Sequence, residues 1–294
     1  LFGALKYPVP FSQANNCDLV PALMEGTTTV HLINREISKP PKCYLDTEQD
    51  VVDWLLQPLK DQERSDFISL GEKLGKHAEA LHKGFHCSIM DLADDISFGI
   101  HDMEDSIALR LISEQDFRLF VSEESCSAHL DFLKGSYGAE FGNDVYEAYV
   151  RVLFDNNKSR KHAISRMVAH LIRSCRIETI ERFETPMVRY RAGMEEKARK
   201  FLKALKEAVY KVVIRSPAVQ HLEFKGQQMV VAVFEALRSE PRALLPVDTL
   251  ALYDTSADPV RVVCDHVAGM TDTFLLKTYE RLFSPRMGSI FDKL

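Results

Sequence analysis

The sequence lacks any apolar run approaching the roughly 18 residues of a membrane-spanning helix. It lacks the charged, apolar and small-residue pattern of a secretory leader at its first residues. These two absences point to a cytoplasmic protein with no membrane partner. Its six cysteines, Cys17, Cys43, Cys87, Cys126, Cys175 and Cys264, are scattered without CxxC spacing. That excludes a zinc knuckle or dithiol redox motif and leaves them as small buried hydrophobes in a reducing compartment. There is no excess of positive charge. The 294 residues carry 37 basic and 43 acidic side chains, a net charge of −6. Binding of nucleic acid, or of any anion, would therefore need lysines and arginines to converge locally. No internal repeat, low-complexity segment or evident linker interrupts the chain.

Helical periodicity dominates what is present. Ile164, Met167, Val168, Leu171, Ile172 and Cys175 form one apolar stripe at three- and four-residue spacing. Val260, Val263, Cys264, Val267, Met270 and Phe274 form another. Thr47 with Asp50, and Ser113 with Asp116, fit a capping box at helix starts. Ser216-Pro217 and Asp258-Pro259 place a capping side chain before a first-turn proline. Residues 1–46 differ, because Pro8 and Pro10 prevent a helix and Thr27 to Ile33 favours a short strand before the Lys39-Pro40-Pro41-Lys42 turn. The expectation is a single mostly helical domain over 1–294, irregular with a short strand in 1–46 and helical over 47–294.

Residues 89–105 combine an apolar helix with carboxylates. Asp91, Asp94, Phe98, Asp102 and Asp105 follow spacings of three and four and share one ridge. Like charges so placed repel by a few tenths of a kcal/mol per pair. Ile89, Leu92, Ile96, Ile100 and Met103 spread around much of the circumference, which predicts burial on several sides. Burying an unpaired carboxylate costs far more than the surface repulsion. The ridge thus calls for a hard divalent cation, which prefers oxygen ligands, or for lysines and arginines from elsewhere. A solvated acidic face is the plainer alternative. An EF-hand is excluded, since its alternating oxygen ligands and central glycine are absent.

Three segments in order carry a family resemblance: Phe2-Gly3-Ala4-Leu5-Lys6-Tyr7-Pro8, then Met90 through Asp105, then Cys264-Asp265-His266-Val267-Ala268-Gly269-Met270-Thr271-Asp272. Together they resemble the dGTPase-like family of HD-domain deoxynucleoside triphosphate triphosphohydrolases, and they span essentially the whole chain. The resemblance implies an all-α, HD-domain-like helical bundle with additional C-terminal helices and a small hairpin or strand near the N-terminus. It implies metal-dependent hydrolysis of a deoxynucleoside triphosphate, with Mg²⁺ or Mn²⁺, to deoxynucleoside and triphosphate. It also implies a homo-oligomer.

By the matched motif, Asp94 corresponds to the last ligand of the family's His…His-Asp…Asp metal site. Phe98 stands where the family usually has tyrosine beside the sugar, so any hydroxyl contact is lost. Asp102 corresponds to an acceptor for the 3′-hydroxyl. Lys6 and Tyr7 match a pair at the triphosphate, and Lys42 is a looser match to a second phosphate-contacting lysine. Asp95 reads as structural.

The His…His-Asp segment and the catalytic residues of the family lie upstream of the Lys-Tyr-Pro segment. The chain begins Leu1-Phe2-Gly3 without methionine, so the expectation is a C-terminal portion, inactive by itself, with no catalytic residue of its own. His101-Asp102 is no substitute, since neighbours on a helix point about 100° apart. His82 and His86, four apart, are a weak metal pair without a third ligand.

The basic cluster Asn157-Lys158-Ser159-Arg160-Lys161 with Arg166 reads as a solvated helix end before it reads as a phosphate site. The lysines from Lys197 to Lys211 read as a solvated face, and single-stranded nucleic acid has no further support. The alternative to an enzyme is a non-catalytic helical protein that senses nucleotides or binds nucleic acid.

Overall fold

In a computed structural model, the structure describes residues 2–22, 33–34, 37–71 and 75–285. The fold is mainly α-helical and divides into two compact units. One comprises Leu1–Leu19 with Pro40–Ser216, the other Val20–Lys39 with Pro217–Leu294. The strand expected at Thr27–Ile33 lies outside the described residues except for Ile33.

In the first unit the short α1 (Phe11–Ala14) is followed by α2 (Gln49–Leu56) and α3 (Asp61–Phe67). A two-residue ladder, β1 (Leu70–Gly71) with β2 (Glu79–Ala80), leads into the long α4 (Phe85–Ala108). Then come α5 (Glu114–Phe120), α6 (Ser127–Phe141), α7 (Val145–Phe154) and α8 (Asn157–Arg173). An antiparallel hairpin, β3 (Cys175–Thr179) with β4 (Tyr190–Met194), encloses the one-turn α9 (Pro186–Arg189). The unit continues through α10 (Glu196–Ala208) and a π-turn at Val209–Ile214.

The local signals explain most of these boundaries. The Ser113 hydroxyl accepts from the Asp116 amide, and the Asp116 carboxylate accepts from the Ser113 amide, so this capping box forms as expected. The Thr47–Asp50 box does not. A 3₁₀ turn at Asp46–Glu48 precedes α2, and no side chain caps it. Asp46 is drawn away instead, accepting from the backbone amide and hydroxyl of Ser12. The stripe from Ile164 buries Ile164, Met167 and Leu171, but the helix stops at Arg173 and Cys175 opens β3. The hairpin is the main departure from helix after residue 47. Its short strands carry only partial apolar alternation, and Cys175 continued the helical period by coincidence.

Two buried polar features hold this unit. Glu63 accepts from the Glu184 and Thr185 amides at 2.7 and 2.8 Å and from the Thr185 hydroxyl at 2.7 Å. These bonds, the Thr185 amide foremost, pull its carboxyl down to about 2 and tie α3 to the loop before α9. Deeper, His129 of α6 is fully enclosed. Its ring stacks on Phe201 of α10 at 5.0 Å, meets Tyr149 of α7 edge-on at 5.0 Å, and lies 5.2 Å from His170 of α8. Neither ring nitrogen of His129 has a hydrogen-bond partner among the described residues. Burial first, then the neighbouring His170, pushes its imidazole down to about 3.

The second unit contains α11 (Pro217–Ser239), α12 (Pro241–Leu244), α13 (Val247–Thr255), α14 (Pro259–Ala268) and α15 (Asp272–Phe283). Asp258 caps α14 by accepting from the Arg261 amide at 3.2 Å, with Pro259 in the first turn, as the sequence indicated. The stripe from Val260 to Phe274 is broken at Gly269. Thr271 then caps α15 by accepting from the Phe274 amide. Val233, Leu237, Leu245 and Val263 form the buried centre.

The buried polar groups give the chain an acid-labile core. His129 has a folded value below its ordinary 6.5, so its contribution is complete above about pH 6.5 and is lost as pH falls towards 3. Glu63, lowered from 4.5 to about 2, adds a loss between those values as its carboxylate is protonated. His129→Phe is expected to make the urea-unfolding midpoint fall less steeply between pH 6.5 and 4.5. An unchanged slope in that window would remove His129 as its source.

Candidate functional site

The acidic ridge lies on one side of α4, and the opposite side fixes the helix in place. Ile96, Gly99, Ile100, Met103 and Ile107 are buried. Gly99 permits the closest approach, since a Cβ there would sit 2.5 Å from Leu202 Cδ1 of α10. The several-sided burial expected for α4 is not found, because Ile89, Met90 and Phe98 are 44%, 56% and 46% exposed. Part of this apolar surface, with Leu92, Ile96, Ile172 and Ile177, lines a cleft of about 460 Å³ between α4, α8 and the hairpin. Ser97 and His101 also line it.

Along the acidic side, each carboxylate meets a different environment. Asp91 is gripped by two lysines. Lys6 Nζ lies 2.8 Å from Oδ1, and Lys83 Nζ donates to Oδ2. Both ammonium groups sit over the ring of Tyr7, at 5.8 and 5.9 Å from its centroid. Burial alone would raise the Asp91 carboxyl, but the bonds from Lys6 and Lys83 outweigh it and hold it below the usual range. The same hydrogen bond, with the Asp91 charge, raises Lys6.

Asp94, one turn on, is exposed, and no hydrogen bond or ion pair to its carboxylate occurs among the described residues. Its charge reaches Lys6. Asp95 pairs with Lys206 of α10, whose ammonium also lies 5.6 Å from the centroid of the Phe98 ring. Asp102 is half-buried. Burial and the charge of Asp105 push its carboxyl upwards, opposed by His101.

The structure thus gathers Lys6, Tyr7, Asp91, Asp94, Phe98 and Asp102 along a single helix face. It does not bring Lys42 to them, since its ammonium faces Glu79 of β2 at 3.5 Å. His82 and His86 do not share a helix face. His82 precedes α4 and packs edge-on against Phe183 at 4.9 Å, and His86 is exposed in the first turn. Lys83 had no sequence signal, because it lies outside the helical period and only the chain path delivers it to Asp91.

Among the described residues no group of three or more His, Cys, Asp and Glu side chains is placed to hold a metal. Asp94 offers one hard oxygen donor group, fewer than a Mg²⁺ or Mn²⁺ ion needs. The described residues therefore do not complete a metal site. No described helix is long and apolar enough to cross a membrane.

Residues 192–281 match the family model of the phosphohydrolase-associated domain. The chain is 35% identical, over 99% of its length, to a deoxyguanosinetriphosphate triphosphohydrolase-like protein of Shewanella pealeana. It is 33% identical over 99% to the protein of that name from Shewanella halifaxensis. Over nearly its whole length the chain is thus similar to proteins named deoxyguanosinetriphosphate triphosphohydrolase-like, and its residues 192–281 to a phosphohydrolase-associated domain. It spans 64% of the length of each of these relatives.

The Gly99 contact is testable as the support of this row. Gly99→Val is expected to cost about 1–3 kcal/mol through overpacking against Leu202. Urea unfolding would measure it, and an unshifted midpoint would contradict the close seating of α4 on α10.

Proposed function

We propose that this chain contributes the substrate-binding wall of a metal-dependent triphosphohydrolase. The enzyme cleaves a deoxynucleoside triphosphate to a deoxynucleoside and inorganic triphosphate. dGTP is the substrate for which the relatives are named. The observation that carries this reading is the order along α4: a lysine-bound carboxylate at Asp91, an exposed carboxylate at Asp94 without a partner among the described residues, then Phe98 and the half-buried Asp102.

In this reading Lys6 and Tyr7 receive the phosphate tail, and a lysine ammonium is a point-charge phosphate binder. Asp94 is one oxygen ligand of Mg²⁺ or Mn²⁺, which polarises a phosphoryl oxygen when bound. Phe98 packs beside the sugar through its ring alone. Asp102 accepts from the 3′-hydroxyl, and its raised carboxyl value keeps it protonated to higher pH than an ordinary aspartate. Lys42, held by Glu79, is the weakest member of the proposed set. The enzyme works as a homo-oligomer in the cytoplasm.

The test is release of deoxyguanosine from dGTP with Mn²⁺. By itself this chain is expected to release no more than a trace, because Asp94 is a single ligand. Robust turnover would overturn that. In a longer active polypeptide that carries the chain, Asp94→Ala should lower turnover by at least about 100-fold, more than loss of an outer-shell metal partner costs. A nucleotide-sensing protein would instead bind dGTP with or without Asp94 and release nothing in either form.

A further inference from the structure

We propose that Lys6 and Lys83 form a two-lysine clamp for the phosphate tail of the substrate, with Asp91 as the positioning residue that keeps the two ammonium groups together. This rests on the triphosphohydrolase reading above and names the holder of the triphosphate within that same site.

The geometry is specific. The two lysines come from separate parts of the chain, Lys6 from the turn after Phe2–Ala4 and Lys83 from the segment before α4. They meet on the two oxygens of one carboxylate, Lys6 on Oδ1 and Lys83 on Oδ2. Tyr7 lies beneath both. One carboxylate does not neutralise two ammonium groups, so Lys6, Lys83 and Asp91 together carry one net positive charge, against which the Asp94 carboxylate one turn on also acts. Each ammonium has three donors and spends one on Asp91, which leaves two on each for another anion.

The lysine side chains are 44% and 40% exposed, whereas Asp91 is 27% exposed beneath them. An incoming phosphate therefore meets the cations before the carboxylate. Without Asp91 the two ammonium groups would repel each other and separate. Its carboxylate is an internal stand-in for a phosphate oxygen pair, presetting the spacing of the cations.

Polarity follows from position. Asp91 and Asp102 are eleven residues apart, about 16 Å along the helix. A substrate whose tail rests on Lys6 and Lys83 carries its α-phosphate past Asp94 and its sugar towards Phe98 and Asp102. The second cation of the tail is thus Lys83, a residue outside every motif of the sequence, in the place first given to Lys42.

Titration calorimetry of this chain with inorganic triphosphate and with orthophosphate tests the clamp without any turnover. Triphosphate is expected to bind at one site and orthophosphate more weakly. Lys83→Ala and Lys6→Ala should each weaken triphosphate binding about ten-fold, the scale of one hydrogen bond to a charged group. Lys83→Arg should retain most of it, and the exposed Lys203→Ala should leave it unchanged. Equal losses for Lys203→Ala and Lys83→Ala would overturn the clamp in favour of bulk charge.

Asp91→Asn separates positioning from charge. A clamp that needs the carboxylate binds triphosphate no more tightly in this variant, whereas tighter binding would overturn the positioning role. Circular dichroism of each variant checks the fold. Lys83-dependent binding without dGTP hydrolysis in any longer polypeptide would keep the clamp and sink the hydrolase reading. Hydrolysis with a KM and triphosphate affinity indifferent to Lys83→Ala would do the reverse.

Discussion

Carboxylates in a row on one helix face repel, and how that repulsion is relieved governs what α4 can do. Lysines from three other parts of the chain answer two of them. Lys6 and Lys83 converge on Asp91, and Lys206 reaches Asp95. Exposed ion pairs of this kind stabilise a fold only slightly, so their main effect is on the electrostatic profile of the helix. Asp94, Asp102 and Asp105 are the members left without a partner among the described residues, Asp94 and Asp105 in solvent and Asp102 half-buried. The compensation is selective, and the uncompensated positions include the two at which the family resemblance places metal and sugar.

This profile requires a rigid helix. Gly99 lets α4 settle against Leu202, and the same crossing brings Lys206 within reach of Asp95. Further into the unit, α6, α7, α8 and α10 close on a histidine whose ring nitrogens have no hydrogen-bond partner among the described residues. Burying such a group is costly. Its neighbours are flat rings, and stacking on Phe201 recovers part of that cost. The glutamate that fastens α3 is the opposite case, a buried charge with its bonds well supplied.

Much of this was legible from residue order. Ser113 with Asp116, and Asp258 before Pro259, act over three residues or fewer, so their caps formed as read. Thr47 with Asp50 was equally plausible locally, but a 3₁₀ turn at Asp46–Glu48 takes up Thr47 and α2 starts at Gln49 without a side-chain cap. The Cys175–Met194 hairpin escaped because its strands are short and its first residue continued a helical stripe. Asp94 and Asp102 stood out because helical spacing is a local property. Lys83 did not, because its significance depends on where a loop turns.

Sequence alone determined that residues 91, 94, 98 and 102 share one face of a helix and that a Lys-Tyr pair precedes it. Backbone periodicity dictates the first, and the family resemblance linked the second to phosphate. Tertiary structure decided which carboxylates are neutralised. Ion pairing depends on distance through space, and Lys6, Lys83 and Lys206 reach α4 only once the chain has folded around it. It also decided that Lys42 belongs to Glu79 and that Asp94 is left open.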